Sequence, residues 1–194
     1  MSGRFCTVFV WIVCVAMHAC SPDTVDESPE TSPGITRLSP DTFPALPHNI
    51  ATSLQAEGYT IPQCYLFDEP HNVVPGEFAQ QGQVDWAVLC SKDGLSSIIV
   101  FWGGSSENVA RLAQEPDESF LQSIDANGRI GFSRLIHTVD KEGVLDCYAA
   151  YGGPEPPPEL PPIDHDGIDD AFAEKASMIH YFHEGRWLSL PGAD

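Results

Sequence analysis

The chain has 194 residues, with 28 acidic against 9 basic side chains and a formal net charge of −19. This charge argues against nucleic acids and anionic lipid surfaces as partners, because both require basic patches that neutralise phosphate. It allows a cationic partner, and solubility is the alternative explanation of the excess acid.

An apolar run from Val8 to Ala19 follows the positive charge at Arg4 and ends at Cys20. A short basic start, an apolar core and a small residue at the cut are typical of an export signal, so we predict that residues 1–19 are a signal peptide. The run falls short of the roughly 20 residues that a helix needs to span a bilayer. Loss of Arg4 with the signal leaves 28 acidic and 8 basic residues, a formal charge near −20.

The sequence Met17-His18-Ala19-Cys20 resembles the lipobox of bacterial lipoproteins. The resemblance implies that the sulfur of Cys20 carries a lipid and that the mature protein is held at a membrane of the bacterial cell envelope through this lipid only. The alternative is an ordinary cleaved signal, with Cys20 as a free thiol and a secreted, soluble protein.

Residues 20–47 are rich in proline, serine, threonine and acid and contain few large apolar side chains. Proline favours an extended, stiff backbone, and neighbouring carboxylates repel one another. We therefore predict that this segment is a tether that begins at the lipid-anchor cysteine.

Residues 48–194 have the length of one domain that can bury a hydrophobic core. The first half predicts, in chain order, a helix from about Asn49 to Glu57, a strand over Asn72 to Phe78, a hairpin of Val84 to Cys90 with Ser97 to Trp102, and a helix over Glu107 to Ala113. The nearly continuous apolar residues of this hairpin indicate strands that are buried on both faces.

The second half predicts a hairpin of Ile130 to Val139 with Val144 to Ala150, a short helix over Asp166 to Glu174, and a hairpin of Met178 to His183 with Arg186 to Leu190. Together these elements predict an α+β domain. We expect a mostly antiparallel sheet of about five to seven strands, packed against two or three helices.

Two stretches of the domain carry a resemblance to known sequences. The first is GEF from Gly76 to Phe78 followed by GQVDWAVLCS from Gly82 to Ser91, and the second is DHDGIDDAF from Asp164 to Phe172 followed by KAS and GRW. Together they resemble a family of uncharacterised exported bacterial proteins. The resemblance implies export and the extent of the domain, and it implies no activity.

After Cys20, the mature chain contains Cys64, Cys90 and Cys147. Export leads to an oxidising compartment, and Cys64 lies in an irregular segment that can reach the central strand, so we predict a disulfide between Cys64 and Cys90. Cys147 is then a strand residue. A nucleophilic Cys147 would need His137 beside it, and a buried, inert thiol is the simpler interpretation.

The acidic cluster from Asp164 to Asp170 is the best candidate for chemistry. The carboxylates of Asp164, Asp166 and Asp169 are candidate ligands for calcium, which binds oxygen atoms, and we predict no other cofactor. The alternative is structural, with Asp166 capping the predicted helix and the next acids in its first turn.

Arg186 and Trp187 are candidate binding residues in the last hairpin. An exposed tryptophan beside an arginine suits a contact surface, whereas core packing explains most of the other aromatic side chains.

Two functions remain open. The first is a non-catalytic binding or inhibitor-like domain of a cell-envelope lipoprotein, with a protein or envelope polymer as its partner, for example a cationic one such as a lysozyme. The second is a periplasmic metal-dependent hydrolase built from Asp164, His165 and Asp166. We expect the first, because motifs such as HExxH and GxSxG do not occur in the sequence.

Overall fold

The computed structural model describes residues 34–151 and 160–193. Cys20, the predicted signal and the first part of the predicted tether lie outside the described residues. The strands are β1 Thr36–Leu38, β2 Ile61–Gln63, β3 Val73–Gly76, β4 Asp85–Lys92, β5 Leu95–Phe101, β6 Val109–Pro116, β7 Leu121–Ser123, β8 Ile130–Phe132, β9 Arg134–Val139, β10 Gly167–Phe172, β11 Ala176–His183 and β12 Arg186–Pro191. The helices are α1 His48–Ala56 and α2 Lys141–Tyr151.

Two four-stranded antiparallel sheets form the centre of the domain. The first sheet has the strand order β3-β4-β5-β6, and the second sheet has the order β12-β11-β10-β9. The inner faces of the two sheets share one core, α1 packs on the outer face of the first sheet, and α2 packs on the outer face of the second. The layers are therefore helix, sheet, sheet and helix.

The sequence of β4 explains its central position. Successive side chains of a strand point to opposite faces, and β4 is apolar on both. Val88 packs in the core that contains Ile50 and Leu54 of α1, whereas Ala87 and Leu89 pack in the core between the sheets. The predicted hairpin that is buried on both faces is confirmed as β4 and β5.

Helix α1 and the β11–β12 hairpin also form where the sequence predicts them. α1 buries Ile50, Ala51 and Leu54 on one face. β11 and β12 pair antiparallel from Met178 to His183, with Glu184 and Gly185 as the two-residue connection.

The predicted strand over Val144 to Ala150 is wrong, because this segment is helix α2. Asp140 accepts a hydrogen bond from the backbone N–H of Gly143 at 2.8 Å, the contact of a helix N-cap. Val144 and Tyr148, four residues apart, both pack against the second sheet. β9 therefore pairs with β10 and not with this segment.

The two helices predicted over Glu107 to Ala113 and Asp166 to Glu174 are also wrong, because these segments contain strands β6 and β10. β6 is an edge strand that pairs with β5. β10 lies between β9 and β11, although aspartate has a low strand propensity. Asp170 is accommodated because Arg134 lies beside it, and this tertiary contact outweighs the local preference.

Residues 34–47 belong to the domain, so the predicted tether is too long. β1 pairs with β2, and Ile35, Phe43 and Leu46 are buried. These apolar side chains are separated by prolines and polar residues, and each one inserts singly into a core. The low average content of apolar residues in this segment therefore gives no indication that it contributes to the fold.

The coarse fold prediction is confirmed as an α+β domain with mostly antiparallel sheets and two helices in the described residues. The predicted sheet of five to seven strands is wrong in its layout, since residues 34–151 and 160–193 contain twelve strands in four sheets. In the same residues, no helix combines the length and the apolar character needed to cross a bilayer.

A buried arginine connects the two sheets. Arg134 donates to both carboxylate oxygens of Asp170 at 2.9 and 2.8 Å, and also to Ser96 Oγ at 3.1 Å and Ala113 O at 2.7 Å. His180 Nε2 lies 3.3 Å from the same carboxylate. The contacts join β9, β10 and β11 of the second sheet to β5 and β6 of the first.

Candidate binding cleft

A cleft of about 570 Å³ lies along β12, the edge strand of the second sheet. This volume lies within the range of typical ligand sites, which is roughly 300–1,000 Å³. Its apolar lining consists of Tyr148, Leu160, Pro161, Leu188, Leu190 and Pro191, and its polar lining consists of His183, Glu184, Arg186 and Ser189. Five of these residues belong to β12, so the cleft follows the strand.

Arg186 is the one basic residue of the described part that has neither an ion pair nor an aromatic ring against its charge. The other basic residues pair with carboxylates (Arg37, Arg111, Arg129, Arg134 and Lys141) or lie over rings (Lys92 and Lys175). Arg186 is exposed and lines the cleft. Its guanidinium is therefore available to an anionic group that enters the cleft.

The outer edge of β12 presents backbone groups that have no strand partner among residues 34–151 and 160–193. Gly192 donates its N–H to Ser177 O at 3.1 Å, and bonding positions alternate along an antiparallel ladder. Every second residue counted back from Gly192 therefore bonds to β11. Trp187 and Ser189 lie between these residues and direct their N–H and C=O groups to the open edge. Pro191 also faces the edge, where the missing N–H of proline costs no ladder bond.

The turn that precedes β12 places His183 and Arg186 side by side. Glu184 and Gly185 have φ of 47° and 80°, the positive values that a type I′ two-residue turn requires. His183 and Arg186 are direct cross-strand partners, so their side chains project from the same face of the hairpin. His183 Nε2 lies 4.0 Å from Glu184 Oε1. The polar end of the cleft thus contains two nitrogen-bearing side chains and one carboxylate.

Trp187 lies on the opposite face of β12 from Arg186 and does not line the cleft. Its ring stacks on Trp102, with centroids 5.7 Å apart, and contacts Phe182 at 5.2 Å. Its indole Nε1 is buried without a hydrogen-bond partner in the described part of the chain. The structure therefore separates the two predicted binding residues: Arg186 lines the cleft, and the side chain of Trp187 supports β12 from behind.

Asp85 fixes the ring on which Trp187 stacks. This fully buried carboxylate accepts hydrogen bonds from the backbone N–H of Gly103 at 2.7 Å and of Ala79 at 2.8 Å. Gly103 follows Trp102 directly, so Asp85 holds the turn that positions the Trp102 ring. Asp85 of the first resemblance stretch therefore has a structural role behind the cleft.

The acidic cluster does not form a common site. Asp166 accepts a hydrogen bond from the backbone N–H of Glu77 at 2.9 Å, whereas the ring of His165 is buried and stacks on Tyr181 at 4.3 Å. Asp164 is largely exposed. Asp169 lies on β10, opposite His137 in the strand register, with its Oδ1 buried and unpartnered among the described residues.

No group of three or more histidine, cysteine, aspartate or glutamate side chains within residues 34–151 and 160–193 is arranged to hold a metal ion. The predicted helix-capping role of Asp166 is also wrong, because the residues that follow it form β10. The carboxylate of Asp166 instead connects the start of β10 to the segment after β3.

The predicted disulfide is absent, because Cys64 and Cys90 are free thiols in the structure. Cys90 packs beneath α1 with Ile50, whereas Cys64 packs with Leu135 in a different core cluster. Burial raises the pKa of both thiols above the usual value.

Cys147 lies on α2, and the predicted strand that would pair it with His137 does not exist. Burial and the charges of Asp169 and Asp146 raise the pKa of the Cys147 thiol, which opposes thiolate formation. His137 is exposed and contacts the ring of Phe67 edge-on at 6.3 Å. A nucleophilic role for Cys147 therefore has no support from its surroundings.

Sequence reasoning misses several cleft residues, above all Tyr148, His183 and Leu188. It places Tyr148 in a strand, although Val144 and Tyr148 have the four-residue spacing of a helix face. The alternation of Arg186, Leu188 and Leu190 on one face of β12 is a readable signal for the lining. The location of β12 at the edge of the sheet depends on the strand order, which local sequence does not reveal.

No protein-family model, no curated protein and no solved structure matches this chain. The resemblance to exported bacterial proteins therefore stays a prediction.

Proposed function

We propose that this chain is the non-catalytic binding domain of a cell-envelope lipoprotein, and that the cleft along β12 holds its ligand. One observation carries the proposal: Arg186, which has no ion pair among the described residues of a strongly acidic chain, lines an apolar cleft beside a strand edge. Apolar walls with a few placed polar groups are typical of binding sites.

The partner is a protein or an envelope polymer. The formal charge of −19 disfavours nucleic acids and favours a partner that carries net positive charge, which the acidic surface would attract at low salt. The export signal and the lipid on Cys20 belong to the same proposal, and they would place the domain at a bacterial membrane.

The geometry does not favour the metal-dependent hydrolase. Asp166 is occupied by its bond to the backbone of Glu77, and the ring of His165 is buried against Tyr181. A hydrolytic site needs a concave surface on which a nucleophile or metal and a general base converge. Asp164, His165 and Asp166 do not line the cleft along β12.

Site-specific photocrosslinking in the native host tests the proposed function. A photoreactive phenylalanine derivative replaces His183, which lines the cleft, and in a matched control it replaces the exposed Val84, which does not. We expect one discrete adduct from position 183, none of that mass from position 84, and loss of the adduct in the additional variant Arg186→Glu. Equal labelling at both positions, or no adduct at 183, would contradict the proposal.

Mass spectrometry of the mature amino terminus tests the anchor separately. We expect a chain that begins at Cys20 and carries the mass of a lipid. An unmodified amino terminus would remove the anchor and leave the cleft unaffected.

A further inference from the structure

The edge of β12 is suited to another strand. The backbone groups of Trp187 and Ser189 point away from β11 and along the cleft, and no described residue bonds to them. An extended peptide can pair with such an edge through its own backbone, with affinity from the main chain and specificity from alternate side chains.

The position of Arg186 sets the direction of this peptide. Arg186 lies at the start of β12 and Pro191 at its end. A carboxylate beside Arg186 is best supplied by the carboxyl terminus of a peptide that runs antiparallel to β12. Its last residue then pairs with Trp187, whose N–H donates to the terminal carboxylate while Arg186 contacts the same group from the side.

We infer that the cleft binds the carboxyl-terminal end of an extended peptide, which adds to the second sheet as a fifth strand antiparallel to β12. The inference rests on the proposed function and names the ligand class of that site. Charge complementarity selects the occupant, because Arg186 is the unpaired cation of the described part and a chain terminus is the carboxylate that every peptide carries.

The register also predicts which peptide side chains enter the cleft. Residues directly opposite each other in a ladder share a face, and Leu188 and Leu190 face the cleft. With the last residue opposite Trp187, the second and fourth residues from the peptide carboxyl terminus lie opposite these two leucines. We expect valine or isoleucine at both places and tolerance of polar residues between them.

Calorimetry with short peptides tests the inference. The probe is the peptide KVTVT with a free carboxylate, and its controls are the same peptide with a terminal amide and the peptide KTVTV, which turns both valines away from the cleft. We expect the amide and the shifted peptide to bind roughly tenfold or more weakly, as expected for loss of a charge-assisted contact or of apolar burial.

Two variants locate the contact. Arg186→Gln should bind the carboxylate and amide peptides equally, and Ser189→Pro should weaken both, because it removes an edge N–H while keeping the bonds to β11. Arg186 is exposed and forms no ion pair with a described residue, so the melting temperature of Arg186→Gln should match that of the wild type. If Ser189→Pro does not fold, the comparison of the two peptides on Arg186→Gln still decides the inference.

Equal binding of the two terminal forms by the wild type, or no binding of either, would overturn the inference. The cellular adduct from position 183 would still support the proposed function in that case. Loss of both the adduct and the peptide binding would reject both.

Discussion

Arg134 of β9 and Asp170 of β10, neighbouring strands of the second sheet, form a bidentate ion pair, with Nε–Oδ1 at 2.9 Å and Nη2–Oδ2 at 2.8 Å. The side chain of Arg134 has no exposed surface. Burial alone would raise the pKa of Asp170, but hydrogen bonds from Arg134 and His180, together with their charges, hold it below the usual value. The pair is therefore ionised at neutral pH, and each charge depends on the other.

Asp170→Asn should destabilise the domain by about 3–5 kcal/mol at neutral pH, because it leaves the charge of Arg134 buried and uncompensated. Urea denaturation measures the change in free energy of unfolding. The control is Arg111→Gln, which breaks an exposed pair with Glu57 and should cost about 1 kcal/mol or less. Similar small losses in both variants would contradict the assigned role of the buried pair.

The same pair predicts the behaviour of the wild type in acid. A carboxyl group whose pKa is depressed by folding contributes stability above its unfolded pKa, which is 3.8 for aspartate, and this stability is lost as the pH falls through the folded pKa. Denaturation curves between neutral pH and strong acid should show this loss in the wild type and a shallower loss in Asp170→Asn. Parallel curves would contradict it.

Sequence patterns identify the elements whose signal is local and miss those that depend on tertiary contacts. The β4–β5 hairpin is apolar on both faces, and its burial follows directly from this pattern. β10 contains Asp169 and Asp170, which favour helix starts and turns, and its strand conformation depends on Arg134 and on pairing with two other strands. Arg186 is identifiable from the sequence of the last hairpin, whereas the cleft around it requires the strand order.

Asp169→Asn should stabilise the domain at neutral pH by about 1 kcal/mol, because the charged form lies partly buried with one oxygen unpartnered in the described residues. Burial raises the pKa of Asp169, against smaller opposing effects of Ser177 and His137. Folding therefore takes up a proton at pH values just above the unfolded pKa of 3.8. The stability of the domain falls as the pH rises through that window.

Thermal denaturation over a pH series checks this prediction. The increase in stability that Asp169→Asn causes should shrink as the pH falls toward the unfolded pKa of 3.8. Asp125→Asn is the opposing control, because the hydrogen bond from the Arg129 backbone lowers the pKa of Asp125 and its ionised form is the favoured one. A loss of stability in Asp169→Asn at neutral pH would show that the charged form is not penalised at this position.

Cys64 and Cys90 should both be alkylated when the purified mature protein is denatured without reductant, because both are free thiols. In the native protein both should resist alkylation, since they are buried and their raised pKa values leave little thiolate. Peptide mapping by mass spectrometry reads the result, with the partly exposed Cys147 as the more accessible control. A crosslinked Cys64–Cys90 peptide would contradict the structure.

Glu184→Asn should raise the free energy of unfolding by about 0.5 kcal/mol, because asparagine tolerates the left-handed backbone at this turn position better than glutamate does. It also removes a carboxylate from the cleft, so the peptide KVTVT should bind more tightly. Urea denaturation and calorimetry measure the two effects. Weaker peptide binding by this variant would count against a carboxylate ligand beside Arg186.

The open edge of β12 is central to the proposed ligand binding, because the ligand strand must pair with it. Amide hydrogen exchange of Trp187 and Ser189, measured by NMR with and without saturating KVTVT, tests this pairing most directly. We predict fast exchange at both positions in the free protein and strong protection in the complex, with Leu188 and Leu190 protected in both states. Unchanged exchange at Trp187 and Ser189 under saturating peptide would contradict it.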